Sequence, residues 1–209
     1  MNLRDAKRNF IVETATGLFL ERSIRAVTVR DIADRAGIGE VTVYRYFARK
    51  QVLVQAAAER LQKLVYDEYF VPAAGAGYDR IRAFFGAYVE IFREHPEFYR
   101  FVSEFDAYIR SEGLTTGAAY SDGVDLFRNL FLAAYRDGVA DGSVRRLTED
   151  PTIFYYASAH ALLGLCKNLS APCGVVPQDN ETDKLQEIDE MKRIILFSLV
   201  APQSGAENK

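Results

Sequence analysis

Twenty-three residues, Thr28 to Lys50 (TVRDIADRAGIGEVTVYRYFARK), constrain this chain more than any other stretch, because local signals alone spell a helix, a turn and a second helix. Thr28 is a good helix cap. Its hydroxyl can accept a hydrogen bond from the unpaired NH groups that open a helix, and Asp31 occupies the capping-box position three residues on, a shorter stand-in for the usual Glu. Val29, Ile32 and Ala33 then fall on one apolar face, with Arg30, Asp31, Asp34 and Arg35 on the other. Gly37 can take the left-handed conformation that closes a helix. Ile38, an apolar residue inside the turn, makes sense where the turn packs on a neighbouring helix. Glu40 to Phe47 reads as the second helix, with Val43 and Phe47 four apart and facing inward.

That leaves Val41, Thr42, Tyr44, Arg45 and Tyr46 around the outer surface. Two interpretations are open on pattern alone. One is an ordinary amphipathic helical hairpin. The other is a helix lying in a DNA major groove, which needs hydroxyls and Tyr for phosphates, Arg for guanine edges and small apolar groups for thymine methyls.

The stretch resembles the DNA-binding domain of the tetracycline-repressor (TetR) family, whose motif runs Thr-x-x-x-Ile-Ala-x-x-Ala-Gly-Val, then Thr-Leu-Tyr-x-Tyr-Phe and a Lys. The matching positions are Thr28, Ile32, Ala33, Ala36, Gly37, Ile38, Thr42, Val43, Tyr44, Tyr46, Phe47 and Lys50, within a resemblance covering residues 5 to about 65. It implies an N-terminal three-helix helix-turn-helix domain that binds operator DNA as a homodimer, and a C-terminal helical domain that binds an inducer. Half-sites are then expected about one DNA turn or more apart, roughly 34 Å or above.

Thr28, Thr42, Tyr46 and Lys50 are expected to hold phosphates, and Val41, Tyr44 and Arg45 to reach base edges, with Arg30 and Glu40 also among the DNA contacts. Lys50 sits near the N-terminus of the next helix, where free NH groups and the helix dipole favour a phosphate oxygen. Departures from the family pattern are Glu40 and Val41, where Lys or Arg and then Gly are common, and also Ser23, Ala48 and Arg49. Glu40 repels phosphate, so it either accepts from a cytosine amino group or turns away.

The charge distribution agrees with one nucleic-acid-facing end. Residues 1 to 50 carry ten Lys and Arg against six Asp and Glu, leaving 16 against 23 in the other 159 residues of a 209-residue chain. Cys166 and Cys173 argue against a disulfide framework and for a reducing cytoplasm. The N-terminus has no apolar signal-peptide core, and no apolar run reaches the roughly 20 residues of a membrane span. A cytoplasmic protein without a membrane partner is expected.

The remaining pattern is all-α. Helices are predicted over 3–22, 50–70, 78–94, 96–111, 117–141, 150–169 and 183–200, with breaks at VPAAGAG, His95-Pro96, Glu112-Gly113, Asp141-Gly142-Ser143 and Ser170 to Asn180. Phe10, Ile11, Thr14, Ala15, Leu18 and Phe19 form the expected inner face of the first helix. These signals place a DNA-binding domain at 1–70 with its motif at 28–47, a ligand-binding and dimerisation domain at 71–202, and a flexible tail at 203–209.

Residues 78 to 160 hold 17 of the chain's 26 Phe and Tyr, which suits either a helical core or a pocket for an apolar or aromatic effector. Candidate lining residues are Tyr88, Phe92, Phe105, Tyr108, Tyr120, Phe127, Tyr155 and His160. His160 reads first as a core residue satisfied by a buried backbone group, with a ligand contact as the alternative. The apolar stripes of 150–169 and 183–200 are expected to pair with their copies in a homodimer, or to serve as ordinary core. No nucleophile elbow, phosphate loop, dinucleotide fingerprint or metal-ligand spacing occurs, so no catalytic residue, metal or cofactor is expected. The competing function classes are a protein-interaction module without DNA readout and a small-molecule enzyme using the aromatic pocket.

Overall fold

The structure is a computed structural model, which describes residues 2–172 and 183–200. Among them lie nine helices and no strand: α1 (Leu3–Glu21), α2 (Val29–Ala36), α3 (Glu40–Tyr46), α4 (Lys50–Tyr69), α5 (Gly77–Glu94), α6 (Pro96–Ser111), α7 (Ala118–Asp141), α8 (Pro151–Leu169) and α9 (Lys184–Phe197). Cys173 and the predicted 203–209 tail lie outside the described residues.

The chain divides into two compact units, residues 1–68 with 94–124, and residues 69–93 with 125–209. A division at residue 70 was expected, but the segment 94–124 groups with the N-terminal part. The cause is apolar burial: Phe101, Phe105, Tyr108 and Ile109 of α6 share a core with Ile11, Leu18, Phe19, Ile32, Val43, Phe47 and Leu53 of α1–α4.

Covering α1 on two sides, by α2 and α6, also changes its buried face. Ile11, Ala15, Leu18 and Phe19 are buried as expected, together with Val12 and Thr16, while Phe10 is 49% exposed. The buried Thr16 hydroxyl is satisfied by donating to the Val12 carbonyl at 2.7 Å.

In the second unit α5 begins against the end of α7. The Gly77 amide donates to the Asp141 carboxylate at 2.8 Å and the Tyr78 amide to the Ser143 hydroxyl at 3.0 Å, so the open end of α5 is capped from 64 to 65 residues away. α8 and α9 pack on each other.

Candidate nucleic-acid interface

The α2–α3 unit forms as its local signals demand. The Thr28 amide and hydroxyl donate to Asp31 Oδ2 at 2.7 and 2.6 Å, and the Asp31 amide donates to the Thr28 hydroxyl at 3.1 Å. These bonds, with the Thr28 hydroxyl foremost, hold the Asp31 carboxyl below the usual carboxylate range. Gly37, at φ 64°, closes α2 in the left-handed region. The Ile38 amide then reaches back to the Ala33 carbonyl at 3.0 Å, and the Ile38 side chain packs against the core.

Val43 of α3 and Phe47, the residue that caps its C-terminus, are 1% and 2% exposed. Their burial turns the opposite face outward, with Val41 83% and Tyr44 46% exposed and Glu40 and Arg45 exposed beside them. The Arg45 guanidinium lies 5.7 Å from the Tyr46 ring centroid. Tyr46 and Thr42 are half-buried at the margins, and Tyr46 also packs on the core. Arg30 is exposed, and its 3.9 Å approach to Asp34 between two open side chains holds it weakly.

Two expected phosphate contacts have first duties inside the unit. The Thr28 hydroxyl proton is donated to Asp31. The Lys50 ammonium donates to the Ile24 carbonyl at 2.5 Å and stands 5.9 Å from the Tyr108 ring centroid. Burial, reinforced by nearby Arg25, holds its pKa below the usual lysine range. Arg49 beside it is exposed, and its side chain has no hydrogen bond or ion pair among the described residues. That makes Arg49, which departs from the family pattern, the freer cation at the start of α4.

Ile24 is held from the other side as well. Its amide donates to Glu104 Oε2 at 2.7 Å, while Arg100 donates to the Leu20 carbonyl at 2.6 Å and Arg25 to the Ser111 hydroxyl at 2.6 Å. Glu104 and Arg100 of α6 thus fix the connection between α1 and α2. Neither residue stands out in the sequence, because partners 80 positions away leave no local signal.

The proposed effector-lining residues are distributed over both units. Phe105, Tyr108 and Tyr120 belong to the first unit; Phe105 lies 5.2 Å from the Tyr120 ring centroid and 6.1 Å from that of Phe101. Burial pushes the Tyr120 phenol up to about 12.

Tyr88, Phe92, Phe127 and Tyr155 belong to the second unit. There Phe70 meets Phe84, Tyr88 and Phe127 edge-on at 5.1, 5.7 and 4.7 Å, and Phe84 lies 6.2 Å from Tyr155. Burial raises the Tyr88 phenol well above its ordinary pKa and pushes Tyr155 up to about 12. A cavity of about 20 Å³ beside this cluster, lined in part by Phe70, Arg80 and Phe84, has room for little more than one water. His160 is exposed on α8, with its ring 5.8 Å from Tyr156, so it is neither a core residue nor part of this cluster.

Among the described residues no group of three or more His, Cys, Asp or Glu could hold a metal ion, and no helix is long and apolar enough to cross a membrane.

Residues 11–57 match the family described as bacterial regulatory proteins, tetR family. The HTH-type transcriptional repressor KstR2 of Rhodococcus jostii (strain RHA1) is 31% identical over 147 residues, 68% of this chain and 70% of the relative. KstR2 of Mycobacterium tuberculosis (strain ATCC 25618 / H37Rv) is 32% identical over 93 residues, 44% of this chain and 46% of the relative, so that similarity spans about half of the relative's length. The solved structure of the ketosteroid transcriptional regulator KstR2 of Mycobacterium tuberculosis shares the fold, with a TM-score of 0.61 at 22% identity over 97% of each chain. With its helix-turn-helix matched by the family and 70% of the Rhodococcus repressor covered at 31% identity, the chain belongs to the tetR family of bacterial regulatory proteins.

Proposed function

We propose that this chain is a DNA-binding transcriptional regulator, a repressor that binds its operator as a homodimer and is released by a small apolar or aromatic molecule. The carrying observation is the two-faced α3. Val43 and Phe47 anchor it, while Val41, Tyr44 and Arg45 project outward, where a groove could receive them. Arg45 has no ion-pair partner among the described residues and is the guanine reader. Thr42, Tyr46, Arg30 and Arg49 contact the phosphates, with Thr28 and Lys50 contributing through the frame they brace.

Dimerisation uses the outer faces of α8 and α9, where Ile153, Ile194 and Phe197 are 62%, 57% and 82% exposed and Ala157, Ala161 and Gly164 allow close approach. The effector enters the aromatic cluster of Tyr88, Phe92, Phe127 and Tyr155. To release DNA it must bind the DNA-incompetent conformation more tightly than the competent one.

The test is fluorescence anisotropy on duplexes selected from a random pool by the full chain. Wild type should bind with strong salt dependence, and Arg45→Ala should lose about 1–3 kcal/mol of discrimination at one G·C pair per half-site. Apolar compounds, fused-ring ketosteroids among them because the structurally similar KstR2 is a ketosteroid transcriptional regulator, should include a releasing molecule. An unchanged sequence preference in Arg45→Ala removes that residue from base readout, and salt-independent or absent binding to every duplex overturns the function.

A further inference from the structure

Resting on the reading of α9 as a dimer contact, we propose that Arg145, from the connection between α7 and α8, is a positioning residue for dimerisation. It holds the last turn of α9 in the conformation that presents Ile194 and Phe197 to the partner copy. A helix ends with carbonyls that no further turn of its own can satisfy, and its C-terminus carries partial negative charge that a nearby cation offsets. The last turn of α9, Ile194 to Phe197, contains no basic residue. Arg145 supplies one from far along the chain. Its Nε donates to the Ser198 carbonyl, 53 positions away, and its main-chain amide donates to the Leu199 carbonyl at 3.0 Å. Val144 and Val200 form an antiparallel bridge beside it.

The segment that carries Arg145 is itself anchored. The Val144 amide donates to the Gly138 carbonyl at 2.9 Å, and the buried Val144 side chain packs where a Cβ at Gly138 would fall. The Ser143 amide donates to the Asp141 carboxylate at 2.9 Å. Arg145 therefore ties the end of α9 to the end of α7. The turn that it holds has two faces: Ile195 and Leu199 are buried, while Ile194 and Phe197 are exposed. Without the guanidinium this turn frays in the free copy. Association must then order it, which weakens the dimer although no contact across the interface is removed.

The test is a double-mutant cycle on the full chain, read as the dimer dissociation constant from sedimentation over a dilution series. Arg145→Met keeps most of the aliphatic stem and removes the charge and its donors, and should weaken the dimer roughly tenfold or more, the value of one charge-assisted hydrogen bond. Phe197→Ala should weaken it through the contact itself. The two losses should not multiply: once Phe197 is truncated, the turn presents less, so the double variant should lose less than the product of the single losses. A role in general stability alone would leave them independent. Hydrogen exchange at the amides of residues 198–200 should quicken in Arg145→Met, with helicity retained. Arg145→Lys, which keeps a cation but not the guanidinium fork, takes its place in the cycle should Arg145→Met lose helicity.

An unchanged dissociation constant in the Arg145 variant, or losses that simply multiply, overturns the inference, while a wild-type dimer weakened by Phe197→Ala keeps the interface. A wild type that sediments as a monomer, or a dimer indifferent to Phe197→Ala, overturns both.

Discussion

Thr28 and Asp31 close a small ring of hydrogen bonds in which the hydroxyl donates to the carboxylate while accepting from the Asp31 amide. Both acceptor roles at Asp31 favour its ionised form, so its folded pKa lies below its unfolded value, near 3.9. The stabilisation is therefore complete above about pH 4 and is lost as pH falls through the folded pKa. Denaturant unfolding between about pH 3 and 6 should show stability falling on the acid side, with a smaller slope in Asp31→Asn; equal slopes would remove this ring from the acid response.

This cap was legible in the sequence because its partners lie three residues apart, and so was the closure at Gly37. The internal partner of Lys50 was not legible for the opposite reason: its motif position suggested phosphate, and the carbonyl that it meets belongs to Ile24, 26 residues earlier. Charge type reads from sequence, whereas occupancy by a distant backbone group does not.

At the scale of elements, helix boundaries were legible almost throughout, because Pro96, Gly113, Gly142 and the VPAAGAG segment punctuate strong periodic runs. What each helix buries was less so. Phe10 and Val12 exchange roles because α1 is covered from two directions, and Phe105 and Tyr108 serve the first unit although their composition matched the pocket.

Gly77 shows a constraint of the same kind. A Cβ there would overlap the backbone of Gly138 and the Ala134 carbonyl, where no flexible side chain can yield. By contrast, nothing lies within 4 Å of a Cβ at Gly86, in the same α5. Gly77→Ala should thus destabilise by about 1–3 kcal/mol through overpacking, whereas Gly86→Ala should stabilise by about 0.5–1 kcal/mol through lost unfolded-state freedom. Paired thermal melts check the opposite signs, and a harmless Gly77→Ala would mean that α5 and α7 can part at no cost.

The whole molecule, on the proposed function, is a dimer whose contacts are the exposed apolar residues of α8 and α9. Ile194→Glu combined with Phe197→Glu places four like charges across a two-fold contact, counting both copies. Sedimentation should then change from dimer to monomer with helicity retained, and operator affinity should fall at least about tenfold as the second half-site is lost. A wild-type chain that sediments as a monomer at micromolar concentration would refute the interface.

The sharing of one apolar core between α1–α4 and α6 has a consequence for synthesis. The unit that carries α3 is discontinuous along the chain, with residues 69–93 translated between its two parts. At roughly 5–20 residues per second, the first four helices leave the ribosome about 2–7 seconds before Phe101 and Phe105 arrive to cover them. A nascent chain therefore passes through an interval in which α1–α4 lack part of their apolar cover, and a chaperone that shields such surfaces would find its substrate there rather than in the finished protein.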